Sequence, residues 1–310
     1  MERRDFIKTS ILGTGVLMGS SLLGASVPTS KKISLNFSYQ INFDSAKEVK
    51  LWIPMPLTSS FQQPSHIRIN GNYNSYKTIT QNATPIVFAQ YNQAKKSKNI
   101  SIALDVLLTP RNAPTPSTPQ EDLKDFIKPT RYIRTDGLIA EIASKLKAND
   151  HQKTAQNIYA WITNNLDYEN AKNTRGIRKI QTKDAKVILS GKNISATTLF
   201  VSLSRACGIP AREAFGLELS GQNVSFVSKA EVYSAQGWIP YDVITPIKNP
   251  SQNGSNKWLG DFVLLNYERD MRLENFVLSS FDSPFGLVDN DRLNYYAPKH
   301  FRQTIGYRLI

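Results

Sequence analysis

The sequence predicts an α+β fold in which an antiparallel β-domain comes first and a core of helices followed by a sheet comes second. Three observations carry this expectation. Apolar residues recur at every second position from Lys32 onward, the period turns helical beyond residue 137, and strand patterns return after Gly208. The 310 residues suffice for roughly two folded units. Hydrophobic residues make up 40% and charged residues 20%, with 16 Gly and 16 Pro, which argues against a disordered chain, a collagen and a multi-span membrane protein.

Residues 1–27 have the layout of an export signal. Arg3, Arg4 and Lys8 precede an apolar stretch from Ile11 to Val27 that Gly13, Gly15 and Gly19 interrupt, and Leu23-Gly24-Ala25 offers small residues for cleavage. The run Arg3-Arg4-Asp5-Phe6-Ile7-Lys8 resembles a twin-arginine motif, with Glu2 where Ser or Thr is commoner. That resemblance implies a bacterial periplasmic protein exported already folded, with no stable membrane span once the signal is removed; an uncleaved anchor helix is the alternative. No cysteine follows the apolar run, so a lipid anchor there is not expected.

Residues 32–110 read as a β-sandwich-like domain. Ile33, Leu35, Phe37, Tyr39, Ile41 and Phe43 alternate with polar residues, as do Val49 to Leu57 and Ile100 to Leu108. Pro54 and Pro56 suggest a sheet edge. Five prolines between Pro110 and Pro129 then predict a linker over 111–130.

A core over 131–250 follows. Leu138, Ile139, Ile142 and Leu146 share one helical face, and Ala155, Ile158, Trp161, Ile162 and Leu166 another. A short third helix is expected over Ala185–Leu189, and a fourth from about Ile194 to Cys207, stopped by Gly208 with Pro210 beyond it. Strands are expected at Ala214–Leu219, Val224–Tyr233 and Trp238–Val243. Residues 251–310 form a C-terminal extension expected to pack on this core.

Lys and Arg number 38 against 25 Asp and Glu, a formal charge of +13. Arg3, Arg4 and Lys8 nearly cancel against Glu2 and Asp5, so the excess belongs to the folded body. It favours an acidic partner, such as an anionic envelope polymer or lipid headgroups, and is equally met by a solvated basic surface. Nucleic acid is disfavoured by the export signal. Cys207 is the one cysteine, which excludes an intramolecular disulfide and a zinc site built on several cysteines. His66, His151 and His300 are the only histidines. No phosphate-binding glycine loop or metal motif is present, and no cofactor is expected.

The order of elements and several runs of residues resemble the transglutaminase-like superfamily of papain-type thiol enzymes, in a bacterial branch with an N-terminal β-domain. These runs are Ile158–Ile162, Gly191–Val201, Ser204–Arg212, Lys229–Tyr233 and Gly237–Asp242. Such enzymes attack an amide carbonyl with a cysteine at a helix N-terminus, share its proton with a histidine on the next strand, and orient that imidazole with an aspartate. The resemblance places the cysteine at Asn193, the histidine at Val227 and the aspartate at Asp242. Only Asp242 keeps the residue type.

The resemblance therefore implies a degenerate site and a non-catalytic binding or scaffolding module for an unidentified protein or peptide ligand. Asn193 is expected as the helix N-cap. Asp242 is expected to end its strand with nothing to orient, and Lys192 and Trp238 are candidate cleft residues. Cys207 lies 14 residues beyond Asn193, about 21 Å along a helix, and reads as a small buried hydrophobe. The alternative is an amide hydrolase or acyltransferase with Ser195 as nucleophile, though a serine without an adjacent base stays protonated and weak. Arg205 and Arg212 are expected to pair with carboxylates such as Glu213 or Glu231.

Overall fold

The computed structural model describes residues 29–43, 46–81, 83–92, 97–117, 122–167, 177–295 and 297–310. The signal expected over 1–27 lies outside them. Six strands open the described chain: β1 (Lys31–Asn42), β2 (Glu48–Pro54), β3 (Gln62–Gly71), β4 (Ser75–Gln81), β5 (Thr84–Asn92) and β6 (Ser97–Leu108). Then come α1 (Leu138–Leu146), α2 (His151–Asn165), the hairpin β7 (Arg178–Gln181) and β8 (Val187–Gly191), and α3 (Ala196–Ala206). Strands β9 (Ala211–Ser220), β10 (Asn223–Ser234) and β11 (Gly237–Tyr241) lead to α4 (Ile244–Lys248). The chain ends with β12 (Phe262–Asn266), the hairpin β13 (Met271–Leu273) and β14 (Phe276–Leu278), β15 (Phe285–Val288), β16 (Asp291–Arg292) and β17 (Phe301–Leu309).

The alternating residues form the sandwich. Ile33, Leu35, Phe37, Tyr39 and Ile41 of β1 are buried with Val49, Leu51 and Ile53 of β2 and Ile100 to Leu108 of β6. Its two sheets run β17-β1-β6-β3 and β16-β15-β2-β5-β4. Each therefore takes strands from the far end of the chain: β17 pairs with β1 from Ile33↔Leu309 to Ile41↔Phe301, and β15 pairs with β2. The C-terminal extension expected to pack on the core is divided instead. Strand β12 joins the core sheet, the hairpin β13-β14 buries Met271, Leu273 and Leu278 against Trp52, Ile86 and Phe285 of the sandwich, and the last three strands complete the sandwich, because β1 and β2 would otherwise leave apolar strands unpaired at a sheet edge.

The second unit packs α1, α2 and α3 on one face of the sheet β11-β10-β9-β12. Helix α2 is capped by Asp150, whose side chain accepts from the Lys153 amide at 2.7 Å. Helix α3 ends at Gly208, whose φ of +84° suits a residue without Cβ. The third helix expected over Ala185–Leu189 is strand β8: a turn at Asp184-Ala185 reverses the chain, and Val187, Ile188 and Leu189 continue extended into the hairpin.

The proline-rich stretch after β6 is a strap clamped to the core rather than a free linker. Arg111 forms a bridge with Trp258 and Thr115 one with Trp238. The buried guanidinium of Arg111 pairs with Glu231, which also takes Arg212 at 2.6 Å. Arg212 is itself stacked between Trp238 and Tyr267, with ring centroids 4.0 and 3.7 Å away. Trp238 is thus fully buried behind the sheet, and the expectation that it lines the cleft is corrected.

Candidate functional site

Helix α3 points its N-terminus at a cavity of about 750 Å³, to whose walls Asn193, Ser195, Phe215, Val227 and Ser228 contribute. The first turn is a capping box. Ser195 accepts from the Thr197 amide at 3.1 Å, and Thr198 accepts from the Ser195 amide at 3.0 Å. Ser195 is therefore the N-cap, and the cap expected at Asn193 is corrected. Asn193 lies two residues earlier in a left-handed turn, φ +50°, a conformation that asparagine tolerates better than most residues. Its side-chain amide donates to Ser279 Oγ at 2.8 Å and Ser280 Oγ at 3.3 Å.

Strand alternation decides what faces the helix. Along β10, Ala230 and Val232 pack into the helical core, so Ser228 shares their face. Its carbonyl accepts from Thr197 Oγ1 at 2.8 Å, and its hydroxyl lies 3.2 Å from Ser195 Oγ. Val227 packs against the cluster of Phe61, Trp258 and Phe262 on the other face and reaches the cavity at its rim. The residue opposite the helix N-terminus on this strand is thus Ser228, where the resemblance pointed to Val227.

Asp242 also lies apart. Its carboxylate accepts Lys229 Nζ at 2.7 Å, Thr245 Oγ1 at 2.8 Å and the amides of Ile244 and Thr245. Burial opposes ionisation here, but the Lys229 charge and these donors outweigh it and hold the carboxyl below its ordinary value. Burial likewise works against the Lys229 charge, and its carboxylate neighbours reverse that and raise it. So the aspartate expected to orient nothing neutralises a buried lysine and fixes the turn into α4.

A second network comes from the C-terminal segment. Arg269 donates to Glu213 at 2.5 Å, to the Asn193 carbonyl at 2.9 Å and to the Ser279 carbonyl at 2.6 Å; Glu213 in turn accepts from Thr198 Oγ1 at 2.8 Å. This arginine fastens the Asn193 turn to α3. Beyond it, Asp282 borders the cavity and accepts from Ser280 Oγ at 3.2 Å. Desolvation pushes its carboxyl up.

Cys207 closes the opposite end of α3, where its thiol donates to the Ala143 carbonyl at 3.4 Å and burial raises its pKa. The histidines are elsewhere. His66 meets Asp105, His151 approaches the Tyr233 carbonyl, and His300 sits between the Asn42 carbonyl and the Phe43 ring. Arg212 pairs with Glu231 as expected, whereas Arg205 donates to the carbonyls of Ala211 and Lys128.

Residues 140–243, from within α1 through β11 to just past Asp242, match the family model described as the Transglutaminase-like superfamily. These residues are a transglutaminase-like domain. A Haemophilus influenzae protein described as uncharacterized is 26% identical over 317 aligned positions, which take in 83% of this chain and 85% of that one. The chain is also similar in shape to the crystal structure of "a Putative Cysteine Protease from Cytophaga hutchinsonii", with a TM-score of 0.58 and 15% identity over 91% of this chain and 93% of that one. That likeness extends the shared fold beyond the transglutaminase-like domain to the sandwich.

Among the described residues no group of three or more His, Cys, Asp or Glu side chains is arranged to hold a metal ion, and no helix is long and apolar enough to cross a membrane. Sequence reasoning singled out Asn193, Ser195 and Lys192, and all three border the groove. It missed Ser228, Arg269, Ser279, Ser280 and Asp282. Ser228 was within reach, since its register with Ala230 and Val232 marks the helix-facing side. Arg269, Ser279 and Ser280 are brought in by contacts spanning 71 to 87 residues, for which no local pattern exists, and Asp282 follows Ser280 to the groove.

Proposed function

We propose that the protein is an exported, non-catalytic binding module in which the groove of a transglutaminase-like domain holds a peptide or protein ligand without cleaving it. The observation that carries this reading is the state of the α3 N-terminus. An asparagine amide, already hydrogen-bonded to two serines, stands where the resemblance expects the nucleophile, and the hydroxyl that β10 turns toward the α3 N-terminus is that of Ser228, against Ser195. Neither group donates or accepts a proton readily near neutral pH, so no thiolate-imidazole pair can form. Ser195 is committed as an N-cap and has another serine as its neighbour, which supplies no base.

Periplasmic export belongs to the same reading and is supported by the twin-arginine-like run at Arg3-Arg4. Incubation of the purified chain with peptide libraries, read by mass spectrometry, is expected to reveal binding without amide turnover. Turnover that disappears with Ser195→Ala would establish the hydrolase or acyltransferase reading instead. A reporter fused behind residues 1–30 should reach the periplasm in a strain with an intact twin-arginine pathway and stay in the cytoplasm with Arg3→Lys/Arg4→Lys.

A further inference from the structure

A second cavity, of about 960 Å³, adjoins the first. The two have Asn193, Phe226, Ser280 and Asp282 in common as wall residues, so they form one groove running from the β7-β8 hairpin and α4, past the N-terminus of α3, to the β14-β17 end of the sandwich. Its charges are unevenly placed. Arg178, Lys179 and Lys248 stand at one end and Lys192 and Arg292 at the other, all exposed. Among the described residues Arg178, Lys179 and Lys192 take part in no ion pair, so their charges are open to an anionic ligand. Asp167 and Asp282 are the acidic wall residues.

The middle of the groove is different. Asn193, Ser195, Ser228, Ser279 and Ser280 present hydroxyl and amide groups, and Asp282 sits between the two cavities. Hydroxyls and amides pair well with neutral peptide groups, whereas a carboxylate at the centre repels a chain charged at every repeat. We infer that this groove takes an acidic peptide in extended form, its carboxylates on the two basic ends and its backbone amides on the serine-rich middle. The inference rests on the binding-module reading and specifies its ligand.

The test is fluorescence anisotropy with the purified full-length chain and a labelled peptide carrying Glu residues at both ends and Ser between them, against its counterpart with Gln in place of Glu and against polyphosphate. The acidic peptide should bind at least about tenfold more tightly than the neutral one, and more weakly as salt rises. Reversing Arg178→Glu with Lys192→Glu should weaken it by at least about tenfold, while Lys77→Glu, on strand β4 away from both cavities, should change it less than about twofold. Circular dichroism of each variant, together with the milder Arg178→Gln/Lys192→Gln pair, separates lost binding from lost folding.

Equal binding of the neutral peptide overturns the acidic inference and leaves the binding-module reading standing. Polyphosphate binding as tight as the acidic peptide's, and equally sensitive to Arg178 and Lys192, overturns the peptide in favour of a polyanion. No binding of any probe, or an equal loss with Lys77→Glu, overturns the groove as the site. Cleavage of the peptide, followed in the same samples by mass spectrometry, counts against the binding-module reading alone.

Discussion

At the scale of single residues, charge burial sets the largest effects. Glu231 is fully buried between Arg111 and Arg212, and also accepts from the Tyr267 hydroxyl at 3.0 Å. Desolvation alone would raise its pKa, but the two guanidinium groups outweigh it and hold the carboxyl below its ordinary 4.5. Because the folded value is depressed, its contribution is complete above the unfolded value and is lost as pH falls through the folded one. Glu231→Gln leaves two buried cations uncompensated and should cost about 3–5 kcal/mol, read from urea midpoints at neutral pH. The variant should also lose less stability than the parent on acidification from pH 5 to 3. At the helix start, Ser195→Ala should cost about 1 kcal/mol for the lost cap, whereas Asn193→Gly should be close to neutral, since glycine also accepts the left-handed turn.

At the scale of elements, the alternation of β10 governs any attempt to restore chemistry. A thiol introduced by Asn193→Cys should react faster with iodoacetamide near neutral pH when paired with Ser228→His than with Val227→His. Only the former places an imidazole on the α3 face. Cys207, buried with a raised pKa, supplies a slow background. If the Val227→His pair reacts equally fast, the facing assigned to β10 is wrong. The strap after β6 is a second element-level test. Gly237 has φ +112°, and a Cβ there would lie 2.4 Å from the Thr115 carbonyl. Gly237→Ala should therefore detach the strap, cost at least about 1–3 kcal/mol, and speed proteolysis within residues 111–130.

How legible these elements were depended on where their partners lie. The alternation from Ile33 to Ile41 and from Ile100 to Leu108 is legible in the sequence because a half-buried strand repeats every two residues. The stop of α3 at Gly208 is legible too, because it answers a local stereochemical need. Ala185–Leu189 reads as helix from the sequence because a short apolar run carries no decisive period, and the hairpin that makes Val187–Gly191 a strand depends on pairing with Arg178–Gln181. Residues 111–130 read as a linker from the sequence because proline content reports missing donors and says nothing of Arg111 finding Glu231 across 120 residues.

At the scale of the whole molecule, the two units share surfaces. Leu217 and Leu219 of β9 and Val263 and Leu265 of β12 belong to the core sheet yet are buried in the sandwich core. Strands β15 to β17 close the sandwich from the far end of the chain. Thermal unfolding of the intact chain should therefore be one cooperative transition by calorimetry. Removal of residues 300–310 should expose the β1 edge and raise binding of a hydrophobic dye, although every residue of the transglutaminase-like domain remains. Two well-separated transitions would contradict this shared core.

From the chain alone follow the strand and helix periods, the helix stop at Gly208, the basic excess, and the replacement of thiol and imidazole residue types at the positions where the family resemblance expects them. All of these are properties of residues or of near neighbours in sequence. The tertiary structure alone decides that Ser228 and not Val227 faces Ser195, that Asp242 belongs to Lys229, that Arg269 holds the Asn193 turn and Asp282 borders the groove, and that the chain's last strands complete its first domain. The physical reason is common to all four. Burial, pleat direction and charge pairing are set by contacts between residues far apart in sequence, and only closure of the fold brings those residues together.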